Sequence, residues 1–281
     1  GALRDVAGEL GLKTFEVPPN VGGRFSVLTA VGFVPLALAG YPVKALLEGA
    51  RRAREAVMNT EIEANPAARI ATEQYVLMQR GIHEMVMMSY TDRLVAMVDW
   101  FCQLWAESLG KAVNRQGEEV HVGLTPIKAW GVVDQHSQVQ LYMEGPNTKH
   151  ISFLEVERFE EDIAVPAQPA LPSSLAHLQG RKISEVFKAE LVGTRSALQR
   201  AGRPTSRWIF ESVTPQSLGG FILTWEMVTA LMGELLDIDA FDQPGVELGK
   251  KIAHGLLGRD GFEDYARMAS GDGSEDTTEI C

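Results

Sequence analysis

The feature that most constrains the fold is an alternation between short apolar runs and longer segments with helical periodicity. Most of the runs are separated by stretches long enough for a helix, and successive parallel strands need a crossover of that length. The pattern predicts an α/β fold, with a mostly parallel sheet covered by helices on both faces. Five runs have the composition of strands, at residues 14–18, 84–90, 124–130, 150–156 and 206–213.

Two predicted helices have marked ends. Thr214 can cap the first turn of a helix that starts with Pro215, because proline fits the first helical position. Gly202, with Pro204 just beyond it, is typical of a helix that has ended.

Composition and charge restrict the partners. The chain has 281 residues, 45% of them hydrophobic, which is enough for a substantial core. Its net charge is −11 without a basic cluster, so we expect no nucleic acid and no anionic membrane as a partner. A few well-placed cations could still bind an anionic small molecule.

The cysteines and the apolar segments predict a cytoplasmic protein. Cys102 and Cys281 do not form a disulfide framework, which fits a reducing compartment. The longest apolar run, residues 27–40, is interrupted by Gly and Pro and is shorter than the ~20 residues of a membrane span. A secretion signal has a basic flank followed by an apolar block, and the first residues of this sequence show neither.

Two acid–base groups are predicted near helix ends. A helical pattern over residues 94–105 continues to a glycine stop, which puts Glu107 in the last turn; the helix dipole there disfavours a carboxylate and favours a proton-accepting base. Asp134 is predicted to cap the helix that holds His136 in its first turn, where the dipole favours neutral imidazole. The simpler alternatives are a surface pair between Glu107 and Lys111 and a histidine satisfied by local hydrogen bonds.

Lys250 follows a Gln-Pro-Gly turn in a predicted helix. Residues 246, 249, 252, 253 and 256 form the predicted buried face of this helix. Lys250 lies at the margin of that face, where its ammonium can reach a cleft, and Lys251 points to solvent. The alternative is a surface pair between Lys250 and Glu247.

Arg24 follows two glycines. Gly22 and Gly23 let the backbone turn tightly and approach a ligand, and the guanidinium of Arg24 is always cationic with a planar set of donors. The alternative is a glycine turn with a surface arginine.

In their order along the chain, these segments resemble one family, glucose-6-phosphate isomerase (phosphoglucose isomerase). NVGGRFSVLTAVG (20–32) and GELLDIDAFDQPGVELGK (233–250) resemble its two signatures. WAESLGK (105–111) and DQHSQVQLYMEG (134–145) resemble its glutamate and histidine segments. The resemblance covers about residues 1–257.

The resemblance implies a three-layer αβα sugar-isomerase (SIS) fold and an isomerase of glycolysis and gluconeogenesis. The family interconverts glucose 6-phosphate and fructose 6-phosphate through a cis-enediol intermediate, without a metal or an organic cofactor. Gly23 and Gln243 match positions that line its sugar-phosphate pocket.

The resemblance also implies a role for each candidate group. Glu107 would move the proton between carbons 1 and 2, and Arg24 would stabilise the developing enediolate. His136 and Lys250 would act in ring opening. The family's histidine reaches the site from the partner subunit, so a homodimer is implied.

One departure concerns the phosphate anchor. Family members have two such domains, and the first holds the substrate phosphate in a Ser/Thr-rich loop at a helix N-terminus. Residues 89–93 (SYTDR) lack that composition. We therefore expect a C-terminal fragment whose partner is the missing N-terminal half and which has little or no activity alone.

The expected domains follow from this departure. Residues 1–45 would be the end of the first SIS domain, 46–262 the complete second domain, and 263–281 an acidic, disordered tail. Apolar surface over about residues 1–40 would be uncovered, which predicts aggregation.

Two other functions remain open at the level of sequence. One is a bifunctional glucose/mannose phosphate isomerase, which depends on space around carbon 2. The other is a non-catalytic sugar-phosphate-binding SIS module, which would need no proton-transfer base such as Glu107.

Overall fold

The computed structural model describes residues 2–167 and 172–271, and it divides the chain into two units, residues 1–240 and 241–281. In the first unit, four helices precede the first strand, and one or more helices lie between successive strands of the central sheet. The helices of this unit are α1 (Ala2–Glu9), α2 (Ala30–Leu38), α3 (Val43–Val57), α4 (Pro66–Gln79), α5 (Val95–Leu109), α6 (Val133–Ser137), α7 (Val139–Glu144), α8 (Ile183–Arg200) and α9 (Pro215–Leu235).

Four parallel strands form the central sheet. They are β1 (Glu84–Ser89), β4 (Thr125–Trp130), β5 (Lys149–Val156) and β6 (Thr205–Phe210), in the spatial order β4-β1-β5-β6. Between α5 and β4, a hairpin of β2 (Lys111–Val113) and β3 (Glu119–Val122) forms a separate antiparallel pair. The predicted α/β class and four of the five predicted strands are confirmed.

The fifth predicted strand is wrong. Residues 14–18 have no regular structure, and Phe15 within them is 55% exposed. A strand needs a neighbouring strand for its backbone hydrogen bonds, and none of the described strands pairs with this segment. The hairpin of β2 and β3 was not predicted.

The two faces of the sheet carry separate apolar layers. One face packs under α3, α4, α5 and α9 and includes Met87 and Leu154. The other face packs under α7 and α8 and includes Met88 and Phe153. These neighbours in the chain point to opposite faces because side chains alternate along a strand. The result is the predicted three-layer arrangement.

Aromatic side chains fill the core between α5, α9 and β6. Phe101 lies 4.8 Å, centroid to centroid, from Trp225 in an edge-to-face contact, and Trp208 lies 5.0 Å from Phe221 in the same geometry. Edge-to-face pairs add ~0.5–1.5 kcal/mol each beyond area burial. This cluster fixes α5, whose last turn carries Glu107, against the rest of the unit.

The predicted helix boundaries are confirmed. Thr214 is the N-cap of α9: its side chain accepts a hydrogen bond from the backbone N–H of Ser217, and Pro215 is the first residue of the helix. Beyond α8, Gly202 has a φ of +71°, the left-handed conformation that glycine tolerates best.

Helix α9 is, in the part of the chain that the structure describes, the one helix long and apolar enough to cross a membrane. Half of its most apolar window is buried inside the protein, and the helix packs on α3, α4 and α5. That burial is typical of a core helix.

The N-terminal segment leaves apolar side chains uncovered. No residue of α2 is buried, although the helix is almost entirely apolar. The exposed apolar side chains of this segment include Leu3, Leu10, Phe15, Val31 and Leu38. This agrees with the expected uncovered surface over about residues 1–40.

The second unit contains α10 (Glu247–Leu256) and α11 (Glu263–Gly271), which pack on each other. Gly255 is buried at this contact, where an added Cβ would lie 2.4 Å from the carbonyl oxygen of Phe262. The predicted buried face is wrong: Val246 and Leu256 are exposed, since α11 meets α10 along a different stripe. Helix α11 also lies within the predicted tail, of which residues 272–281 fall outside the described chain.

Helices α3 and α9 cross at unusually short range. An added Cβ at Gly219 would lie 1.9 Å from the carbonyl oxygen of Leu46, and one at Gly49 would lie 1.8 Å from that of Gln216. Only glycine permits this approach of one backbone to the other.

We therefore predict that Gly219→Ala lowers the free energy of unfolding by about 2 kcal/mol, because overpacking outweighs the better helix propensity of alanine. Gly220→Ala is the matched control in the same turn, since its added Cβ meets nothing nearer than 3.6 Å. It should be neutral or stabilising by up to ~1 kcal/mol. Urea denaturation of both variants measures the difference, and equal effects would contradict the assigned crossing.

Candidate active site

The guanidinium of Arg24 is buried, and its hydrogen-bond acceptors include three oxygens. Its Nε donates to Ser108 Oγ at 2.7 Å, Nη1 to Glu107 Oε1 at 3.1 Å, and Nη2 to the carbonyl oxygen of Ala240 at 2.7 Å. Arg24 is 4% exposed. Such a grip fixes the plane of the guanidinium and leaves it little rotational freedom.

Local structure delivers Arg24 to this position. Gly23–Phe25 form a 3₁₀ turn, and the Ser26 hydroxyl donates to the Gly23 carbonyl at 2.6 Å. The neighbouring Phe25 side chain packs against the core. The turn therefore places the arginine at the end of α5.

Gly23 corrects one detail of the sequence analysis. It does not have a positive φ, and an added Cβ would meet no atom within 4 Å. The backbone here does not need glycine for a tight turn. The sequence analysis also predicted that the backbone here can approach a ligand. The open space beside Gly23 leaves room for such an approach.

Glu107 lies in the last turn of α5, as predicted, and both carboxylate oxygens have partners. Oε1 accepts from Arg24, and Oε2 accepts from Gln103 Nε2 at 3.2 Å. The Glu107 side chain is 28% exposed, whereas that of Arg24 is 1% exposed. The carboxylate is thus reachable from solvent while the guanidinium behind it is not.

Lys111, which the simpler alternative paired with Glu107 on the surface, is buried. Its Nζ donates to the backbone carbonyls of Glu107 at 3.1 Å and Ser108 at 2.7 Å. These are among the carbonyls that a helix leaves without partners at its C-terminus. Lys111 therefore caps the turn that carries Glu107.

Sequence reasoning missed Ser108, Ala240 and Gln103. Ser108 is fully buried beside Glu107, and Ala240 lies 216 residues from Arg24 in sequence. The i,i+4 spacing of Gln103 and Glu107 was a readable signal. No sequence signal points to the carbonyl of Ala240, because every residue type has a backbone carbonyl.

His136 is exposed in α6, and its predicted setting needs correction. Helix α6 has only five residues and follows Val132, so Asp134 is inside the helix and is not its N-cap. The Asp134 carboxylate instead accepts from the backbone N–H of Trp130 at 2.7 Å and from Ser137 Oγ at 2.9 Å. Desolvation, the largest single contribution, raises the pKa of Asp134. The hydrogen bonds together outweigh it, so the pKa is lower than the ordinary value.

Glu107 and His136 lie at opposite edges of the sheet. Helix α5 runs back from the carboxyl end of β1 to the region where β4 begins: an added Cβ at Gly123 would lie 3.1 Å from the Cα of Gly110. Glu107 is therefore at the amino edge, and His136 follows the carboxyl end of β4. The six residues of β4 separate the edges by about 20 Å.

Lys250 and Gln243 belong to the second unit. Lys250 Nζ contacts Glu247 Oε1 at 2.8 Å, and both side chains are about half exposed. This is the surface pair that the sequence analysis gave as the alternative. Gln243 precedes the 3₁₀ turn Pro244–Val246.

The described ranges hold no group of three or more His, Cys, Asp or Glu side chains placed to bind a metal ion.

The fold is that of an α/β protein of the sugar-isomerase type. A glucose-6-phosphate isomerase from Chlamydia trachomatis has the same fold, with a TM-score of 0.77 at 20% identity over 96% of this chain and 59% of that one. A protein from Thermus thermophilus that is described as hypothetical superposes with a TM-score of 0.85 at 40% identity, over 92% of this chain and 60% of that one.

The sequence places the chain in a family. The model of the family described as phosphoglucose isomerase matches residues 7–277, so the chain belongs to the phosphoglucose isomerase family. The glucose-6-phosphate isomerase of Carboxydothermus hydrogenoformans is 50% identical over 264 residues, which are 94% of this chain and 57% of that protein. The chain thus spans less than two thirds of the curated relatives it matches, and the resemblance found in the sequence is confirmed.

We predict that Arg24→Lys destabilises the protein by about 2 kcal/mol, because an ammonium cannot reach all three acceptors and leaves buried oxygens without donors. Arg51→Lys is the control, since Arg51 pairs with Glu48 and Glu55 on the surface of α3 and should change stability by less than ~0.5 kcal/mol. Thermal and urea unfolding of both variants provide the comparison. Equal stability of Arg24→Lys and the parent chain would show that the buried hydrogen bonds of Arg24 contribute little to the free energy of unfolding.

Proposed function

We propose that this chain carries the acid–base part of a glucose-6-phosphate isomerase, which interconverts glucose 6-phosphate and fructose 6-phosphate through a cis-enediol. The observation that carries the proposal is the contact between the reachable carboxylate of Glu107 and the buried guanidinium of Arg24. A cytoplasmic location and a role in glycolysis and gluconeogenesis belong to the same proposal.

Glu107 is suited to move a proton between adjacent carbons. Gln103 and Arg24 hold its two oxygens, which limits rotation of the carboxylate about its side chain. One base that serves both carbons must remain oriented while the substrate changes from aldose to ketose. The Oε2 contact with Gln103 is exposed, so a substrate can displace it more readily than the buried contact with Arg24.

Arg24 is suited to stabilise the enediolate. When Glu107 accepts a proton, its attraction for the guanidinium weakens just as negative charge develops on the substrate oxygens. Because Ser108 and Ala240 hold the guanidinium in place, it can then stabilise that negative charge without moving. Gly23, with open space beside it, would line the same pocket.

A homodimer is part of the proposal, and the separation of Glu107 from His136 supports it. Two groups at opposite edges of one sheet do not reach one hexose, which is smaller than the ~20 Å between those edges. If His136 acts on the ring oxygen, it would do so in the site of a partner subunit. The roles of Lys250 in ring opening and of Gln243 in substrate binding belong to the same proposal.

The phosphate anchor is proposed to lie in the portion of the enzyme that this chain does not include. The relatives are longer than this chain, and the apolar surface of α1 and α2 offers a place for that portion to pack. Binding of the phosphate would position the reacting carbons at Glu107.

We expect little isomerase activity from the chain alone and a gain of activity when the missing portion, taken from a close relative, is added. In that complex, Glu107→Gln should lower kcat by at least ~100-fold, because the base is lost. Glu144→Gln, at an exposed position of α7, is the control. A coupled assay of fructose 6-phosphate formation reports both.

The outcomes separate the candidate functions. Full turnover by Glu107→Gln would refute its role as the base. A folded complex that binds fructose 6-phosphate without turnover, in the parent as in the variant, would favour the non-catalytic binding module.

The shared site makes a second prediction. In the same complex, Glu107→Gln and His136→Ala should each be inactive, but a mixture that exchanges subunits should regain part of the activity. One site of the mixed dimer then has an intact glutamate from one subunit and an intact histidine from the other. No recovery, with mixed dimers demonstrated by differential tags, would contradict a site built from two subunits.

A further inference from the structure

The histidine with a proposed role in ring opening lies on a helix too short to be rigid by itself. Helix α6 has five residues, and a helix of that length depends on contacts with the rest of the protein. The His136 side chain is exposed, and no other described residue holds its imidazole by a hydrogen bond or an ion pair. The position of the imidazole therefore depends on what anchors the backbone of α6.

Gln135, the residue before His136, connects α6 to two other elements. Its Oε1 accepts from the Tyr90 hydroxyl at 2.6 Å, and its Nε2 donates to Glu190 Oε2 at 2.7 Å. Tyr90 directly follows β1, and Glu190 lies on α8. One side chain thus joins the helix of His136 to the central sheet and to the layer that covers it.

The two partners fix the orientation of the Gln135 amide. An ionised carboxylate only accepts hydrogen bonds, so the amide nitrogen faces Glu190 and the amide oxygen faces the phenol. Burial raises the pKa of Tyr90 to about 12, so the phenol keeps its proton at pH 7 and can donate it. A rotated amide would bring its oxygen against the carboxylate and lose both hydrogen bonds.

Tyr90 is itself firmly held. It is 3% exposed, and its ring lies 6.0 Å from that of Phe153, centroid to centroid. An added Cβ at Gly131 would lie 2.5 Å from Cε2 of the Tyr90 ring, so the backbone that leads into α6 packs directly on this ring. Tyr90 therefore holds the start of α6 with its ring and Gln135 with its hydroxyl.

The carboxylate of Asp134, on the other side of Gln135, makes local contacts. Its partners, the backbone N–H of Trp130 and the hydroxyl of Ser137, are within four residues of it in sequence. Such contacts shape α6 against the end of β4 but do not reach another element. The contacts of Gln135 span 45 and 55 residues, so they fix α6 relative to the rest of the first unit.

We propose that Gln135 is a positioning residue for His136, which it holds in place through Tyr90 and Glu190 while the sugar ring opens. The inference rests on the proposed role of His136. Ring opening breaks the bond between C1 and the ring oxygen and moves a proton from the C1 hydroxyl to the ring oxygen. A group that assists this transfer must stay within hydrogen-bond distance of the substrate oxygen.

The first test is turnover of glucose 6-phosphate by the complex with the missing portion. Gln135→Met keeps the side-chain length and removes the amide. It should lower kcat by about tenfold, since a displacement of 1 Å costs ~100-fold. KM should stay nearly constant, because a positioning residue does not bind the substrate. Tyr90→Phe should lower kcat in the same way, and Gln199→Met, at an exposed position of α8, is the control.

Exchange between the α and β anomers of glucose 6-phosphate, observed by NMR, reports ring opening alone. Gln135→Met should slow the catalysed exchange, as His136→Ala does. Glu107→Gln should leave it unchanged, because anomer exchange breaks no C–H bond. Titration with sorbitol 6-phosphate, which has no carbonyl to react, counts the intact sites. A purely structural role of Gln135 would reduce that count, whereas a positioning role leaves it unchanged.

Hydrogen exchange of this chain alone tests the anchor without any activity. The amides of α6 should exchange several-fold faster in Gln135→Met and in Tyr90→Phe, and those of α9 should not change. The second variant keeps the test decisive if the first fails to fold.

The outcomes separate this inference from the proposed function. Parent-like kcat and anomer exchange in Gln135→Met, unchanged exchange of the α6 amides, or a loss of titrated sites that accounts for the loss of kcat overturns the inference alone. A parent complex without turnover overturns the proposed function and this inference with it.

Discussion

The position of the candidate base depends on one buried cation. Arg24 joins three parts of the chain that are far apart in sequence: the N-terminal 3₁₀ turn, the end of α5 and the backbone beyond α9. Burial of a guanidinium is costly unless its donors are satisfied, so the three acceptors and the cation require one another. The last turn of α5 is hydrogen-bonded to both Arg24 and Lys111, and the Glu107 carboxylate in that turn keeps access to solvent.

Much of the fold could be predicted because apolar periodicity reports burial. The runs at residues 84–90 and 150–156 are buried on both faces of a parallel sheet, and their mostly apolar composition predicted the two strands. The run at 14–18 has similar composition but no partner strand, and composition does not reveal a missing neighbour. The hairpin of β2 and β3 was missed for the opposite reason: its strands are short and largely exposed, although the Asn114-to-Gly117 turn was a usable signal.

The candidate site was predictable to the extent that it rests on residue types. A glutamate in a last helical turn and an arginine after two glycines were both visible in the sequence. The structure adds that their side chains are in contact. The buried face of α10 was not predictable, because its packing partner α11 approaches from a direction that the pattern of α10 alone does not record. The role of the Ala240 carbonyl could not be predicted either, since a backbone acceptor does not depend on the residue type.

The opposite placement of Glu107 and His136 has a consequence for how an enzyme built this way responds to dilution. If each site draws one group from each subunit, a monomer contains the parts of two half-sites and no complete one. Dissociation then removes both sites together, and the number of working sites follows the concentration of dimer. Specific activity would fall with dilution as the law of mass action dictates, and a substrate that bridges two subunits would oppose that fall by holding them together.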